Sequence, residues 1–389
     1  MANSEITSDR IPRGWYDTLV VGGSCAGLRT AEMLAERGQR VLLVERKPAL
    51  DRLARTWIVT PHLEPVLGFQ PHEAIVHRTG VMRLLAGRVQ QDVRLQVPDL
   101  VIERARLLPL LATRARTAGA TLALQTAVTN LSPVPGGFQI MARQTGQGDP
   151  IVLLARNVVA ADGVRSTIAR QFDPRPRRAV PIVQAQVALP PGYDPDVTAV
   201  WFERARTRFF YWLIPESTTT GALGLIAEQP GNARALLEDF LQEHGFTAQS
   251  FQGALIPLHQ PFRRLEWNWG GHRVLLVGDA AAHVKVTTVG GLVSGLWGAL
   301  AAARAITEQT SYTRELRGLH AELHVHDLMR WVFDRFTQAD YVHMLGLLGP
   351  GLHAILGRHN RDTVAQSKWS LLAAQPRIVA LAARVVLFS

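Results

Sequence analysis

A glycine-rich turn near the start of the chain has the spacing of a phosphate-binding loop. It consists of Gly22, Gly23, Ser24, Cys25, Ala26 and Gly27, and it follows an apolar strand predicted over Asp17–Val21. The pattern G-x-G-x-x-G is met at its first and last glycines, with serine in place of the middle one. Glycine lets the backbone approach a pyrophosphate, and the N–H groups of the helix expected over residues 26–37 attract the anion. The turn therefore predicts a dinucleotide-binding βαβ unit.

A carboxylate at the end of the next strand narrows the choice of dinucleotide. Glu45 ends the predicted strand Arg40–Glu45, 23 residues after Gly22. A carboxylate at this place accepts hydrogen bonds from an adenosine ribose. Because glutamate suits an unphosphorylated ribose, we expect FAD or NAD rather than NADP. A purely structural tight turn is the alternative interpretation.

Two further pairs of aspartate and glycine follow predicted strands. Asp162 and Gly163 come after Asn157–Ala161, and Gly278 and Asp279 come after Arg273–Val277. Ligands of an open α/β sheet bind at the carboxyl ends of its strands. These aspartates are therefore candidates to accept hydrogen bonds from ribitol hydroxyls.

The order of these motifs resembles that of FAD-dependent oxidoreductases with the p-hydroxybenzoate-hydroxylase-like fold. Within that group, the run GDAAAHVKVTTVGGL from Gly278 to Leu292 resembles the G-D-A-A-G-x-V-K-P-T-T-G-G-G-I run of the geranylgeranyl reductase family. The two align without gaps over 15 positions and differ at Ala282, Val286, Val289 and Leu292. The run FYWLIP from Phe210 to Pro215 is similar to that family's Y-x-W-x-F-P substrate wall. The resemblance covers about residues 14–305.

The resemblance implies FAD as the cofactor and assigns residues to it. It places Glu45 at the adenosine ribose, Arg104 near the pyrophosphate, Val128 at the adenine and Asp279 at the ribitol. The run from Gly290 to Leu292 would meet the pyrimidine edge of the flavin, where helix-start N–H groups favour negative charge. The full set of expected cofactor-binding residues is Gly22, Gly23, Ser24, Cys25, Ala26, Gly27, Glu45, Arg46, Arg104, Val128, Asp162, Gly163, Gly278, Asp279, Gly290, Gly291 and Leu292.

The fold expected is a Rossmann-like FAD-binding domain with an inserted antiparallel-sheet substrate domain and a helical C-terminal region. We assign 14–66, 98–172 and 266–306 to the first, 67–97 and 173–265 to the second, and 307–389 to the third. Further elements are a helix over Ile102–Ala118, a strand over Thr121–Val128, a hairpin of Phe138–Met141 with Ile151–Leu154, and strands over Thr198–Phe202, Arg208–Ile214 and Ala222–Ala227.

Aromatic residues supply the predicted substrate site. Strand alternation places Phe210, Trp212 and Ile214 on one face of Arg208–Ile214, with Phe209, Tyr211 and Leu213 on the other. One face could roof the flavin and line an apolar pocket, while the alternative is that all of them are core. The expected substrate residues are Trp57, Phe210, Trp212 and Pro215.

Catalysis is the least determined part of the sequence. The expected reaction is reduction of carbon–carbon double bonds in a prenyl-type or other extended apolar substrate. His283 and Lys285 are the only candidates for a catalytic role. Since no second glycine-rich βαβ unit is present, electrons would come from transiently bound NAD(P)H or another carrier. The alternatives are a flavin monooxygenase acting on an aromatic or polyketide-like substrate, a halogenase, and a non-enzymatic flavin-binding protein.

The charge pattern limits the partners. The net charge is +10, but the cations are 39 arginines and three lysines scattered without a dense basic run, so we expect no nucleic acid partner. Cys25 is the one cysteine, which excludes a disulfide framework and fits a reducing cytoplasm. No secretory signal is expected from the polar first ten residues. The histidines and glutamate at 320, 322, 324 and 326 are predicted to form a solvated helix face, with no metal.

Two apolar segments raise the question of membrane contact. Val286–Ala303 is uncharged over 18 residues, but it opens with a glycine-rich turn and therefore predicts a buried helix rather than a membrane span. Ser370–Ser389 is apolar with Arg377 and Arg384 interspersed. It is interpreted either as an interfacial helix that gives peripheral membrane contact or as a helix packed on the domain.

Overall fold

The computed structural model describes residues 6–50, 55–144, 150–229, 231–358, 361–366 and 376–388. Its strands are β1 (Trp15–Val21), β2 (Val41–Val44), β3 (Thr56–Val59), β4 (Ile75–Ala86), β5 (Val89–Glu103), β6 (Thr121–Ala123), β7 (Thr126–Val134), β8 (Gly137–Gln144), β9 (Pro150–Ala160), β10 (Ala179–Ala188), β11 (Val197–Trp201), β12 (Tyr211–Pro215), β13 (Thr220–Ile226), β14 (Ala248–Pro257), β15 (Glu266–Trp269) and β16 (His272–Leu276). Its α-helices are α1 (Cys25–Ala35), α2 (Leu63–Leu67), α3 (Arg104–Thr117), α4 (Thr167–Phe172), α5 (Ala233–Glu243), α6 (Leu292–Thr307), α7 (Tyr312–Glu315), α8 (Arg317–Phe333), α9 (Gln338–Gly346), α10 (Pro350–Arg358) and α11 (Pro376–Phe388).

The first sheet has the predicted dinucleotide-binding architecture. Its strand order is β15-β16-β9-β1-β2-β6, with β7 and β8 attached beside β9. The strands β16, β9, β1, β2 and β6 run parallel to one another. The four residues of β2, Val41–Val44, are all apolar and buried, as expected for a parallel strand covered on both faces. Helices α1, α3 and α6 bury their apolar faces in one core beside this sheet.

The second sheet is mainly antiparallel and forms the other half of the molecule. Its order is β14-β10-β13-β12-β11-β4-β5-β3. Alternation on β12 separates two cores as predicted, since Tyr211 and Leu213 pack with α5 while Trp212 and Ile214 pack on the opposite face. Phe209 differs from the prediction: it precedes the strand, so strand alternation does not apply, and it packs with Trp212.

Several predicted boundaries are corrected by hydrogen bonding. The helix predicted from Ile102 begins at Arg104, because the strand β5 continues to Glu103 by pairing with β3. The strand predicted over Thr121–Val128 is broken into β6 and β7 around Gln125, which has a φ of 55°. The predicted hairpin is present as β8 and β9, and β9 also contains all but the last residue of the strand predicted over Asn157–Ala161.

The pairing of β3 with β5 bears on the proposed division of the chain. Thr56–Val59 and residues 100–103 hydrogen bond in the second sheet, although the division assigns both segments to the FAD-binding domain. Glu103 is followed directly by α3, which packs beside the first sheet. The two halves therefore share a continuous piece of chain, and the domain boundaries themselves stay a prediction.

The C-terminal region is helical, as predicted. Helix α11 places Leu381 and Val385 in a core with Phe336 and Tyr341, and Arg384 donates a 2.6 Å hydrogen bond to Asp340. The described part of the apolar C-terminal stretch is therefore packed on the protein, whereas positions 370–375 and 389 lie outside the described residues. The uncharged segment at 286–303 forms a loop and most of the buried helix α6. Within the described ranges, no helix has the length and apolar character needed to cross a membrane.

Candidate functional site

A cavity of about 1050 Å³ lies where the two sheets and the C-terminal helices meet. One end is lined by the predicted glycine turn and by the loop that starts at Gly278. The middle is lined by aromatic and aliphatic side chains of the second sheet, and the remaining wall comes from α8 and the segment 361–364. Most of the residues that the sequence assigned to a site therefore line one cavity.

The glycine turn is closed so tightly that its first and last positions, Gly22 and Gly27, have no room for a side chain. Gly22 has a φ of +108°, and a Cβ on Gly27 would lie 2.1 Å from the carbonyl oxygen of Gly22. Ser24 caps α1 by accepting a 3.2 Å hydrogen bond from the Gly27 N–H. Ser24, Cys25 and Ala26 line the cavity, so the first turn of α1 faces it. This geometry presents the positive end of a helix dipole to a bound anion.

Glu45 lies beside this turn, as the ribose prediction requires. Its Oε2 accepts a 2.7 Å hydrogen bond from the Gly23 N–H, and its Oε1 accepts a 2.9 Å bond from the Lys47 N–H. Arg46 is exposed next to it. Val128 lies on the neighbouring β7, where it is half-buried against the core of the first sheet. The carboxylate is thus fixed by the turn itself.

Two arginines place positive charge above the turn. The Arg104 N–H donates a 2.9 Å hydrogen bond to the carbonyl oxygen of Arg55, and the Arg104 guanidinium lies 5.8 Å from the centre of the Trp57 ring. Burial raises the pKa of Asp279, and the charges of Arg55 and Arg104 oppose that rise. Burial raises the pKa of the Cys25 thiol to about 12, with Arg104 opposing. The thiol is therefore protonated and unreactive at neutral pH.

Asp162 holds the start of helix α4, whereas the neighbouring Gly163 lines the cavity. Asp162 Oδ2 accepts a 2.7 Å hydrogen bond from the Thr167 N–H, while its Oδ1 is buried and meets no hydrogen-bond partner among the described residues. Burial raises the pKa of this carboxyl. Gly163 lines the cavity, and a Cβ built on it would find no atom within 4 Å. The glycine therefore borders open space, as a ligand-facing position requires.

The loop from Gly278 to Gly291 is held in a compact form. A 3₁₀ turn, Gly278–Ala281, is followed by Ala282 in the left-handed region with a φ of 54°. The Lys285 N–H donates a 3.1 Å hydrogen bond to the carbonyl oxygen of Gly290. Gly290, Gly291 and Leu292 line the cavity together with Asp279, and Gly291 begins helix α6. The start of α6 therefore faces the cavity, as that of α1 does.

The two candidate catalytic residues occupy different environments. Lys285 lines the cavity and forms a buried ion pair with Asp362, whose Oδ2 also accepts a 2.5 Å hydrogen bond from Thr60. Burial alone would raise the pKa of Asp362, but the Lys285 ammonium holds it below its ordinary value. His283 is fully buried against Gly298, and burial lowers its pKa well below the ordinary value. The position of His283 therefore does not support its predicted catalytic role.

Helix α8 contains buried polar groups that the sequence analysis placed in solvent. Glu322 and His326 are buried, whereas His324 is exposed, so the prediction of a solvated face was wrong for the first two. Both lie in a helical stripe with the buried Leu319, Leu323 and Arg330, and this spacing was the available signal. His259 also contacts α8, with its Nδ1 2.7 Å from Asp327 Oδ2.

Two of these groups, Glu322 and His326, form a row of polar contacts with Thr287 that ends in the cavity. Thr287 Oγ1 lies 2.5 Å from His326 Nδ1, and His326 Nε2 lies 3.2 Å from Glu322 Oε1. Glu322 also accepts 2.8 Å hydrogen bonds from the N–H groups of Val364 and Ala365. Thr287 and His326 line the cavity. The sequence analysis did not find this row, because its members come from separate parts of the chain.

The predicted aromatic wall is present. Trp57, Phe210 and Trp212 line the cavity together with the apolar side chains of Phe209 and Ile214. The ring of Trp212 lies against Gly224, where an added Cβ would be 2.3 Å from Cζ2. Pro215 is buried at the end of β12, where it pairs with Gly221. Three of the four predicted substrate residues therefore face the same space as the glycine loops.

Comparisons with known proteins agree with this geometry. Residues 15–319 match a protein-family model described as FAD binding domain. The chain is 28% identical over 293 residues to digeranylgeranylglycerophospholipid reductase 2 of Methanothermobacter thermautotrophicus, which covers 71% of this chain and 74% of that protein. It is 30% identical over 177 residues to aklavinone 12-hydroxylase of Streptomyces peucetius, covering 39% of this chain and 36% of the hydroxylase.

A solved structure shares the fold over almost the whole chain. A geranylgeranyl bacteriochlorophyll reductase-like protein from Thermoplasma acidophilum superposes with a TM-score of 0.80 at 16% sequence identity. The match covers 95% of this chain and 99% of that protein. At this identity the similarity establishes the architecture, and the resemblance inferred from the motifs is confirmed by the curated relatives.

Proposed function

The chain belongs to the FAD binding domain family and is an FAD-dependent oxidoreductase, and on this premise we propose that it reduces carbon–carbon double bonds of a prenyl-type or other extended apolar substrate. Bound FAD, once reduced, supplies a hydride to one carbon of the double bond. The observation that carries the proposal is a single cavity that joins the two glycine loops to an apolar aromatic wall.

The residues at the glycine-loop end suit FAD. Two helices, α1 and α6, begin at the cavity, and Gly163 borders open space that a side chain would fill. The turn at 22–27 would hold the pyrophosphate together with Arg104, and Glu45 would hold the adenosine ribose. Asp279 would hold the ribitol, and Gly290 and Gly291 would face the flavin's pyrimidine edge, where helix-start N–H groups stabilise negative charge. These assignments keep the flavin end of the cavity polar and leave the aromatic end for substrate.

The aromatic end has the surface that a long apolar chain requires. Strands of the second sheet form one side of it, and the C-terminal helices form the other. Its apolar lining residues are Trp57, Ile58, Met82, Leu84, Val200, Phe202, Phe209, Phe210, Trp212, Ile214, Ile226, Met329, Phe333 and Leu356. Burial of a prenyl chain against this surface gains about 25 cal/mol for each Å² removed from water. Binding energy of this kind can position one double bond near the flavin.

The relatives support this reaction and one alternative. The archaeal relative is described as a reductase of digeranylgeranylglycerophospholipid, which carries prenyl chains. The shorter match to aklavinone 12-hydroxylase favours, as the second candidate, a flavin monooxygenase acting on an aromatic or polyketide-like substrate. The run of aromatic and aliphatic side chains along the cavity offers a prenyl chain a long apolar contact surface, which favours the reductase.

The electron donor and the site of action are parts of the same proposal. Electrons come from NAD(P)H that binds transiently or from another carrier.

Contact with a membrane surface would deliver a lipid substrate, and helices α8 and α11 expose Leu328, Trp331 and Val379 beside Arg335 and Arg377. Liposome flotation with and without residues 370–389 tests this contact. Equal flotation of the two proteins contradicts a role for the C-terminal stretch.

Anaerobic turnover separates the two candidate reactions. The purified protein is reduced with dithionite and mixed with digeranylgeranylglycerophospholipid under nitrogen. Flavin reoxidation, together with a lipid product that gains one pair of hydrogen atoms per reduced double bond, supports the reductase. If no lipid-dependent reoxidation occurs and aeration instead gives a transient flavin-hydroperoxide spectrum, the monooxygenase replaces it.

A further inference from the structure

The row of Thr287, His326 and Glu322 joins the cavity wall to a buried carboxylate, with a hydrogen bond between the first two side chains and a 3.2 Å contact between the last two. All three side chains are at most 8% exposed, so bulk water does not compete for their hydrogen bonds. Thr287 belongs to the loop between Lys285 and Gly290, which also faces the predicted flavin edge. Under the proposed function, Thr287 therefore lines the part of the cavity wall that would lie nearest the flavin's pyrimidine edge.

The acceptors around His326 determine which ring nitrogen carries a proton. Nε2 lies 3.2 Å from Glu322 Oε1 and 3.2 Å from the carbonyl oxygen of Arg361. A carbonyl oxygen and an ionised carboxylate both accept hydrogen bonds and cannot donate them. Nε2 therefore carries a hydrogen in either protonation state. Protonation adds the second hydrogen at Nδ1, which then donates to Thr287 Oγ1 at 2.5 Å. The Thr287 hydrogen is then free to point into the cavity.

The neighbouring charged groups pair with one another, and Glu322 is the carboxylate that lies against the His326 ring. Lys285 pairs with Asp362, and the Arg361 guanidinium donates a 2.7 Å hydrogen bond to Asp99. Glu322 is held by the Val364 and Ala365 N–H groups, so its carboxylate faces His326 in a fixed orientation. This arrangement has the logic of a carboxylate–imidazole–hydroxyl triad, used here to deliver a proton.

The geometry points to Thr287 as the proton donor of the double-bond reduction, with His326 as its proton source and Glu322 as the positioning residue; this inference rests on the proposed function. As hydride adds to one alkene carbon, the second carbon forms a C–H bond with the Thr287 proton. The Thr287 O–H bond breaks and the Nδ1 proton of His326 moves to Oγ1. The alkene would gain the hydride supplied by reduced flavin and the proton from Thr287, and the proton that leaves His326 would be replaced by water entering the cavity that Thr287 and His326 line.

The row is tested with Thr287→Val, which keeps the shape of the side chain, and Thr287→Ser, which keeps the hydroxyl. His326→Gln and Glu322→Gln test the other two positions, and His324→Gln is the matched control on the exposed face of the same helix. Reduction with dithionite and single-turnover oxidation by digeranylgeranylglycerophospholipid are followed by stopped flow. The FAD dissociation constant and the lipid dissociation constant, measured by flavin fluorescence and flavin difference spectra, provide readouts independent of turnover.

We expect Thr287→Val and His326→Gln to slow lipid-dependent flavin oxidation about 10²–10⁴-fold, the usual contribution of general acid catalysis. Both dissociation constants stay within about twofold of the parent, Thr287→Ser recovers most of the rate, and His324→Gln equals the parent. In D₂O the parent gives one deuterium stereochemistry at the protonated carbon. Thr287→Val loses that selectivity, because solvent then delivers the proton from either face.

Three outcomes overturn the inference, and they are distinguishable. If the parent protein turns over the lipid and Thr287→Val matches it in rate and stereochemistry, the donor lies elsewhere while the proposed function stands. If the parent gives no lipid-dependent oxidation, the proposed function fails and the assignment fails with it. A Thr287→Val protein that loses FAD or lipid affinity in proportion to its rate shows a structural role instead.

Discussion

The ammonium group of Lys285 and the carboxylate of Asp362, 77 positions later in the chain, form an ion pair inside the cavity wall. Asp362 is 3% exposed and is held by Thr60 as well. Asp362→Ala leaves a buried ammonium without this partner, so we expect the free energy of unfolding to fall by about 3–5 kcal/mol. Urea unfolding at saturating FAD measures it. Lys285→Met combined with Asp362→Leu is expected to recover most of the loss, and a double variant as unstable as the single one contradicts the pairing.

The same pair gives stability a defined dependence on pH. The pKa of Asp362 in the folded protein lies below its ordinary value. In the acid range this carboxyl therefore carries fewer protons in the folded state than in the unfolded state. Its stabilising contribution is therefore present above the ordinary carboxyl pKa and is lost as pH falls through the folded pKa. We expect the difference in unfolding midpoint between the parent and Asp362→Asn to be largest at neutral pH. A difference that grows on acidification contradicts this sign.

The glycine turn offers a test of cofactor binding. A Cβ on Gly27 would lie 2.1 Å from the Gly22 carbonyl oxygen, so Gly27→Ala must open the turn. We expect the FAD dissociation constant to rise at least about tenfold, since 1.4 kcal/mol of distortion has that effect. Fluorescence titration with FAD provides the measurement. The matched control is Gly351→Ala, where a Cβ meets no atom within 4 Å among the described residues; equal FAD affinity of both variants places the cofactor elsewhere.

The aromatic wall is tested by truncating one ring. Phe210→Ala removes apolar contact with the substrate, and we expect KM for the prenyl lipid to rise about 10–100-fold, in line with 1.5–3 kcal/mol for a buried side chain. FAD affinity is expected to stay unchanged. Phe262→Ala is the control, because that ring is 97% exposed. An unchanged KM in Phe210→Ala shows that substrate does not reach this wall.

The single thiol is expected to be inert in the folded protein. Burial raises the pKa of Cys25 to about 12, and thiolate is the reactive form. Iodoacetamide should therefore label Cys25 only after unfolding in urea, as followed by intact-mass measurement. Cys25→Ala should bind FAD as the parent does. Rapid labelling of the native protein at neutral pH contradicts the burial of the sulfur.

The predictions for the cofactor end of the site rest on local spacing. The turn at 22–27 and Glu45 fall within one βαβ unit, where strand and helix periodicity determine which residues meet. The alternation of Trp212 and Ile214 with Tyr211 and Leu213 along β12 was readable for the same reason. By contrast, β3 pairs with β5 across more than forty residues, and nothing in the local pattern of Thr56–Val59 indicates that partner.

Long-range packing forms the contact between Thr287 and His326, which the sequence did not reveal. Thr287 and His326 are 39 positions apart, and they meet because α8 packs against the loop that precedes α6. His283 looked more suitable because it lies in the matched motif, yet its ring is buried against α6. A histidine's position in a motif does not determine whether it faces a cavity, whereas the packing of the following helices does.

The family match ends at residue 319, but the cavity wall continues through His326, Phe333 and Asp362. A protein trimmed to the matched region would keep the surfaces for the dinucleotide and lose one side of the substrate space. One wall of the substrate space is therefore encoded outside the matched region, while the aromatic wall lies inside it. Exchanging the region after residue 319 between relatives is a route to new ligand preferences on an unchanged flavin module.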